Sequence, residues 1–223
     1  LHELIEELKK DVSIVGDYLN PPDVILAVNA ILMDKPPTKT TFLSRDFSRK
    51  LVDNWETIRV GIKRAFNFLE EEKIFDGQRL PSDVVIYPLA ALWALVPDGL
   101  DQEGEARTIL RKYIWRAFFT DRYERSSSTR ALVDYRQLKN LLTQPTNFDL
   151  PEVFDDDAHP LPNSQELVYA GWPVRKDRMA RAILCVSLRA GGVDFADGSP
   201  VTRENIKKRE YHHIFPDAWL RSR

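Results

Sequence analysis

The sequence predicts a mainly α fold, and three observations carry that expectation. Apolar residues recur every three or four positions along most of the chain. Several of these runs stop at prolines or glycines. Hydrophobic residues make up 43% and charged residues 30% of the 223 positions, an ordinary balance for a globular chain. A chain of this length buries about 70% of its unfolded surface, enough for a core without covalent staples.

The elements follow in order. Leu4, Leu8, Val12, Val15 and Leu19 share one helical face, and the run stops at Asn20-Pro21-Pro22. Residues 24–33 read as a short helix closed by Lys35-Pro36-Pro37. The clearest amphipathic run spans 45–73, where Phe47, Leu51, Trp55, Ile58, Ile62, Phe66 and Leu69 line one side. Residues 84–96 admit two readings because Pro88 sits inside them. They form either a helix opened by Ser82 and kinked at Pro88, or a strand to Tyr87 followed by a helix. Ile109, Tyr113, Ile114, Ala117 and Phe118 mark the next helix, and Leu132, Tyr135, Leu138 and Leu141 another. Met179, Ile183, Val186 and Ala190 mark one more, ended by Gly191-Gly192. Asp197-Gly198-Ser199-Pro200 reads as a turn, and residues 209–215 as a short strand that Pro216 ends. The stretch 144–173 holds five prolines and the run Asp155-Asp156-Asp157, and no Lys or Arg. It reads as a proline-rich acidic linker or loop between a helical domain (1–143) and a C-terminal segment (174–223).

Composition excludes several classes. One cysteine, Cys185, allows neither a disulfide framework nor a Cys-rich zinc module. No apolar run approaches the ~20 residues of a membrane helix, and no basic-then-apolar signal opens the chain. A cytoplasmic protein is the expectation. The chain begins at Leu1 inside a helical pattern, so it reads as a fragment of a longer protein.

The net charge is only −2, yet charge is segregated. Arg111, Lys112, Arg116, Arg122, Arg125, Arg130 and Arg136 crowd one stretch, and Arg203, Lys207, Lys208 and Arg209 another. Such runs are ordinarily solvated helix faces. The functional alternative is a phosphate-contacting surface, with Arg122, Arg125, Arg130, Lys207, Lys208 and Arg209 as its candidates.

Two of the four histidines stand side by side in Tyr211-His212-His213-Ile214-Phe215-Pro216. On a strand, neighbouring side chains point to opposite faces. One imidazole can then face a metal while the other faces water and a phosphate. A histidine with its ordinary pKa of about 6.5 takes a proton from water near neutral pH.

The segment from Asp194 through Gly198 to the Glu210–Leu220 block resembles the start of the HNH nuclease motif in GmrSD-type restriction endonucleases, which are modification-dependent or phage-defence enzymes of bacteria. Looser likeness extends upstream through Phe47 to Leu69, Leu80-Pro81 to Leu95, Trp115-Arg116-Ala117-Phe118-Phe119, Arg122-Tyr123 and Ser126 to Leu138. The resemblance implies that a multi-helix domain leads into the opening strand of a ββα-metal fold. It implies His213 as the general base and His212 as a metal ligand. It further implies Mg²⁺ or another divalent ion, modified or phage DNA as substrate, and hydrolysis to a 5′-phosphate and a 3′-hydroxyl. The motif's orienting asparagine and later ligands have no counterpart here, since no asparagine or histidine follows Pro216. The HNH motif is therefore incomplete in this chain, which is expected to hold the metal poorly and to be weak or inactive alone. The resemblance also implies an N-terminal nucleotide-binding domain, which is expected to lie outside this stretch. Asp76-Gly77-Gln78-Arg79 lacks the second glutamine of that domain's motif and reads as a turn. The rival reading is a non-catalytic helical module that binds DNA or a partner subunit and carries a vestigial histidine pair.

Other candidates carry less. Asp155-Asp156-Asp157 with His159 matches no calcium-loop spacing and reads as a solvated acidic loop. Ser126-Ser127-Ser128 is either a phosphate contact or the cap of the following helix. Cys185 lies on an apolar helix face, where a thiol is buried and inert. Of the tryptophans that could stack on a base, Trp93 and Trp115 read as core, leaving Trp172 and Trp219.

Overall fold

The computed structural model describes residues 1–97, 99–144, 149–171, 177–194 and 197–206. They form a mainly helical body. In chain order the helices are α1 (His2–Asp11), α2 (Val15–Tyr18), α3 (Pro21–Leu32), α4 (Lys39–Phe42), α5 (Phe47–Asp53), α6 (Trp55–Glu71), α7 (Ile86–Trp93), α8 (Leu100–Phe119), α9 (Ser127–Thr143), α10 (Ser164–Val168), α11 (Arg178–Arg189) and α12 (Arg203–Ile206). Among the described residues the β-structure is one isolated antiparallel bridge, Val193 to Pro200. The strand expected at 209–215 lies outside them. No described helix is long and apolar enough to cross a membrane.

The hub is α7. Ile86, Pro88, Leu89, Ala90, Ala91, Leu92 and Trp93 are all buried, and a helix apolar on every side has to sit inside a bundle. It packs against α3, α6 and α9. Of the two sequence readings of this stretch, the helix after Ser82 is the one that holds, without the expected interior kink and without a cap bond from the Ser82 side chain. A 3₁₀ turn, Asp83–Val85, leads into the helix. Pro88 is then its third residue, in the first turn, where a missing N–H has no intrahelical partner to lose. No kink and no strand are needed.

At the closest crossing Gly61 of α6 faces Ala90 and Ala94, so a Cβ there would overlap the Ala90 carbonyl. Gly61→Ala is expected to destabilise by about 1–2 kcal/mol. Overpacking of about 1–3 kcal/mol outweighs a helix-propensity gain of up to about 1 kcal/mol. Urea unfolding measures the net sign. Where α7 ends, Arg64 donates to the carbonyls of Trp93 and Val96 at 3.0 and 2.5 Å. The guanidiniums of Arg64 and Arg107 also lie over the Trp93 ring, 4.9 and 5.4 Å from its centroid.

Two long runs break where the residues are poor helix formers. The first splits into α1 and α2 at residues 12–14, where β-branched Val12, Ile14 and Val15 surround Ser13 and precede Gly16. The second splits into α5 and α6 at Asn54, whose side chain donates to Asn29 Oδ1 on α3 at 3.0 Å. Pro21 closes one run and opens α3 as its first residue, where proline's fixed φ suits a helix start. Ser126 occupies the N-cap position of α9 with φ +50°, but its side chain makes no cap bond. The serine run is thus the helix start that was one of its two readings, without a side-chain cap bond from Ser126.

Residues 149–160 lie against the bundle. Arg116 of α8 reaches them with its whole guanidinium, donating to the carbonyls of Val153 (3.1 Å), Asp155 (3.1 Å) and His159 (2.8 Å) and to the Asp156 carboxylate. Val153, Phe154 and His159 are buried as a result.

Candidate functional site

His212 and His213 lie outside the described residues, as do Lys207, Lys208 and Arg209. What the structure does describe is the seat of the segment that leads to them. That seat is the turn after α6, Asp76-Gly77-Gln78-Arg79. The Asp76 carboxylate accepts the Arg79 backbone N–H at 3.0 Å and pairs with the Arg79 guanidinium. Gly77 lies so close to the Tyr18 carbonyl that a Cβ has no room. The other arm of Arg79 donates to the Ile206 carbonyl at the end of α12, at 3.0 Å. Ile206 is itself buried, and Arg203 pairs with Asp17 at 2.5 Å. Helix α11 docks on the same turn: Cys185 donates to the Arg79 carbonyl at 3.3 Å and Arg181 to the Leu80 carbonyl at 2.9 Å. Asp177 caps α11 by accepting from Ala180 N–H at 2.8 Å. The turn therefore joins α2, α11 and α12, and α12 is the last described element before the histidine pair.

Cys185 is fully buried, and desolvation pushes its thiol up to about 12. It is expected to resist alkylation at pH 8 in the native protein and to react once urea unfolds the chain; mass spectrometry reads both states.

The basic stretch on α8 and α9 is largely consumed inside the fold. Arg107 pairs with Glu71 and Glu103. Arg111 donates to Glu72, a buried carboxylate that also accepts from Trp115 and Arg189. Arg136 pairs with Asp34 at 2.6 Å, and the guanidinium holds the Asp34 carboxyl below the usual carboxylate range. Lys112 lies over the Phe154 ring. Arg122 is the clear correction among the expected phosphate contacts. Its side chain is 1% exposed and it donates to Asp134 through Nε and Nη2, the shortest contact being 2.6 Å. Its other arm donates to Glu152 at 2.9 Å. A guanidinium so enclosed has no face to offer a nucleic acid. Arg130 is half-buried, and its guanidinium donates to the Arg122 carbonyl at 2.8 Å. Arg125 is exposed.

The expectation of a solvated loop also misses His159. Its Nε2 lies 3.0 Å from Arg122 Nη1 and its Nδ1 2.6 Å from Asp121. A guanidinium can only donate, so Nε2 accepts and Nδ1 carries the proton. That hydrogen bond holds the Asp121 carboxyl down. Below Asp134, the Tyr123 hydroxyl donates to the carboxylate at 2.6 Å and lies 2.7 Å from the Tyr113 hydroxyl. The centre of the cluster, Arg122, Asp134, Tyr113 and Tyr123, is buried, its outer carboxylates Asp121 and Glu152 reach solvent, and together they tie the α8–α9 connection to residues 152–159. Asp155 uses its carboxylate to accept the N–H groups of Asp157 and Ala158 at 2.9 and 3.2 Å. Among the described residues no group of three or more His, Cys, Asp or Glu could hold a metal ion. Trp93 is core, as expected, and Trp115 is half-buried against Phe118 and Phe119.

No known protein family, no curated protein and no solved structure matches this chain.

Proposed function

We propose that the chain is part of an HNH-type, metal-dependent DNA endonuclease of a bacterial restriction or phage-defence system. The observation that carries the reading is the block His212-His213-Ile214-Phe215-Pro216, with its resemblance to the GmrSD-type nucleases. Support comes from the seat of the segment before it, because a catalytic group is useful only when its approach is fixed relative to bound substrate. In this reading the DNA backbone enters beside the histidine-bearing segment. His213 removes a proton from water, which attacks phosphorus, and the bond to the leaving oxygen breaks. His212, with ligands from elsewhere, would hold a divalent ion whose chemistry is charge stabilisation at the phosphate.

The test is nicking of supercoiled plasmid by the intact protein with Mg²⁺. His213→Ala is expected to lower the rate about 10²–10⁴-fold, the usual contribution of a positioned general base. Unchanged nicking overturns the role of His213. DNA binding without nicking, in wild type and variant alike, favours the non-catalytic module.

A further inference from the structure

We infer that the corner formed by α4, α5 and the loop before them is a contact surface for the DNA backbone. The inference rests on the reading that DNA is this protein's partner. It places the contact away from the α8 and α9 arginines that composition first singles out.

Residues 35–50 carry five cations, Lys35, Lys39, Arg45, Arg49 and Lys50, against one carboxylate, Asp46. All five are exposed. Among the described residues Lys35, Lys39, Arg45 and Lys50 have no ion-pair or side-chain hydrogen-bond partner, and Arg49 has only Asp46 at 3.9 Å, both largely in water. The contrast with α8 and α9 is what decides the point. There the guanidiniums spend their donors on Glu71, Glu72, Glu103, Asp134 and backbone carbonyls. A cation already neutralised releases no counterion from DNA, whereas an unpaired one does.

The corner is also held in shape. Thr38 Oγ1 caps α4 by accepting from Thr41 N–H at 3.3 Å, and the Thr41 hydroxyl donates to the Pro36 carbonyl at 2.7 Å. Ser44 donates to the Thr41 carbonyl at 2.7 Å. Asn29 of α3 donates to the Phe47 carbonyl at 3.4 Å, and the Phe42 and Phe47 rings pack 5.5 Å apart. The cations thus project from a backbone whose polar groups are bonded inward. Ser128 donates to the Pro37 carbonyl at 3.1 Å. That contact brings the start of α9, and the exposed Arg125 two residues before it, towards the same loop. An anionic membrane would ask for a broad apolar face among the cations. Here Leu43 and Val52 are exposed while Phe47 and Leu51 are buried, so a polyanion in water fits better.

The test is binding of a short fluorescent DNA duplex to the full chain, without metal, as salt is raised from about 50 to about 200 mM. Two double variants remove the same charge: Lys39→Gln with Arg45→Gln on the corner, and Lys10→Gln with Lys63→Gln on α1 and α6. All four side chains are exposed, and matching thermal unfolding of the variants controls for folding. The slope of log affinity against log salt falls by about 0.9 for each phosphate contact removed. The corner pair is therefore expected to flatten it by about 2 and to weaken binding on the order of tenfold at low salt, and the control pair to do neither. Equal losses in both variants, undetectable duplex binding, or binding to anionic vesicles in place of the duplex would each overturn the assignment. Neither His213 nor a metal enters this measurement, so the surface and the nuclease reading fail separately.

Discussion

Asp134→Ala is expected to destabilise the fold by about 3–5 kcal/mol, the cost of stranding a buried charge. Asp134 is wholly buried, and its partner Arg122 is 1% exposed. The carboxylate accepts two arms of the guanidinium and the Tyr123 hydroxyl. Removing it leaves a cation with no route to water along that edge. A domain's whole stability is about 5–15 kcal/mol, so the variant is expected to be marginal. Two companions separate the causes. Tyr123→Phe removes the hydrogen bonds to Asp134 and to Tyr113 and is expected to cost about 1–3 kcal/mol. Arg122→Met combined with Asp134→Leu removes both charges and is expected to recover much of the loss, though Glu152 and His159 lose their donor as well. Urea unfolding of the three variants gives the comparison. A single Asp134→Ala variant within about 0.5 kcal/mol of wild type would mean that the pair is not closed from solvent.

Arg79→Ala is expected to be of similar size, about 3–5 kcal/mol, because it leaves the buried Asp76 carboxylate without its ion pair. It also has a local consequence. Arg79 holds the Ile206 carbonyl, so α12 loses a tie to the body. Trypsin cleavage at Arg203 of α12 is expected to speed up at a protease level that leaves the rest of the body intact. Arg79→Lys keeps a cation beside Asp76 but gives up the fork that spans both partners. It is expected to fold and still to release α12. Unchanged cleavage in Arg79→Lys would mean that Arg203 and the buried Ile206 side chain hold α12 without Arg79.

Much of the helical body was legible from periodicity, because the core-facing side chains repeat at 3.6 residues. Leu8, Ile58, Ile62, Phe66 and Leu69 are buried as their spacing required. Helix α7 was ambiguous because Pro88 sits inside its pattern, and a helix buried on all sides has no polar face whose period could decide between helix and strand. The basic run misled in the opposite way. Charge along a sequence does not reveal which cations have partners, and Arg122 meets Asp134 twelve positions away in a pair that only the fold assembles. His159 was equally opaque, since its partners, Asp121 and Arg122, lie nearly forty residues earlier. The Asp76-Gly77 turn was legible from composition. Its role as the seat of α12 was not, because that contact spans 127 positions.

The most direct test of the account is the pH dependence of single-turnover plasmid nicking by the intact protein, wild type against His213→Ala. A general-base imidazole near its ordinary pKa of about 6.5 works only when neutral. The wild-type rate should therefore climb as pH rises through that value and level off above it, while the variant stays low and loses the inflection. A variant that keeps both the wild-type rate and its pH profile would contradict the assignment of water activation to this histidine.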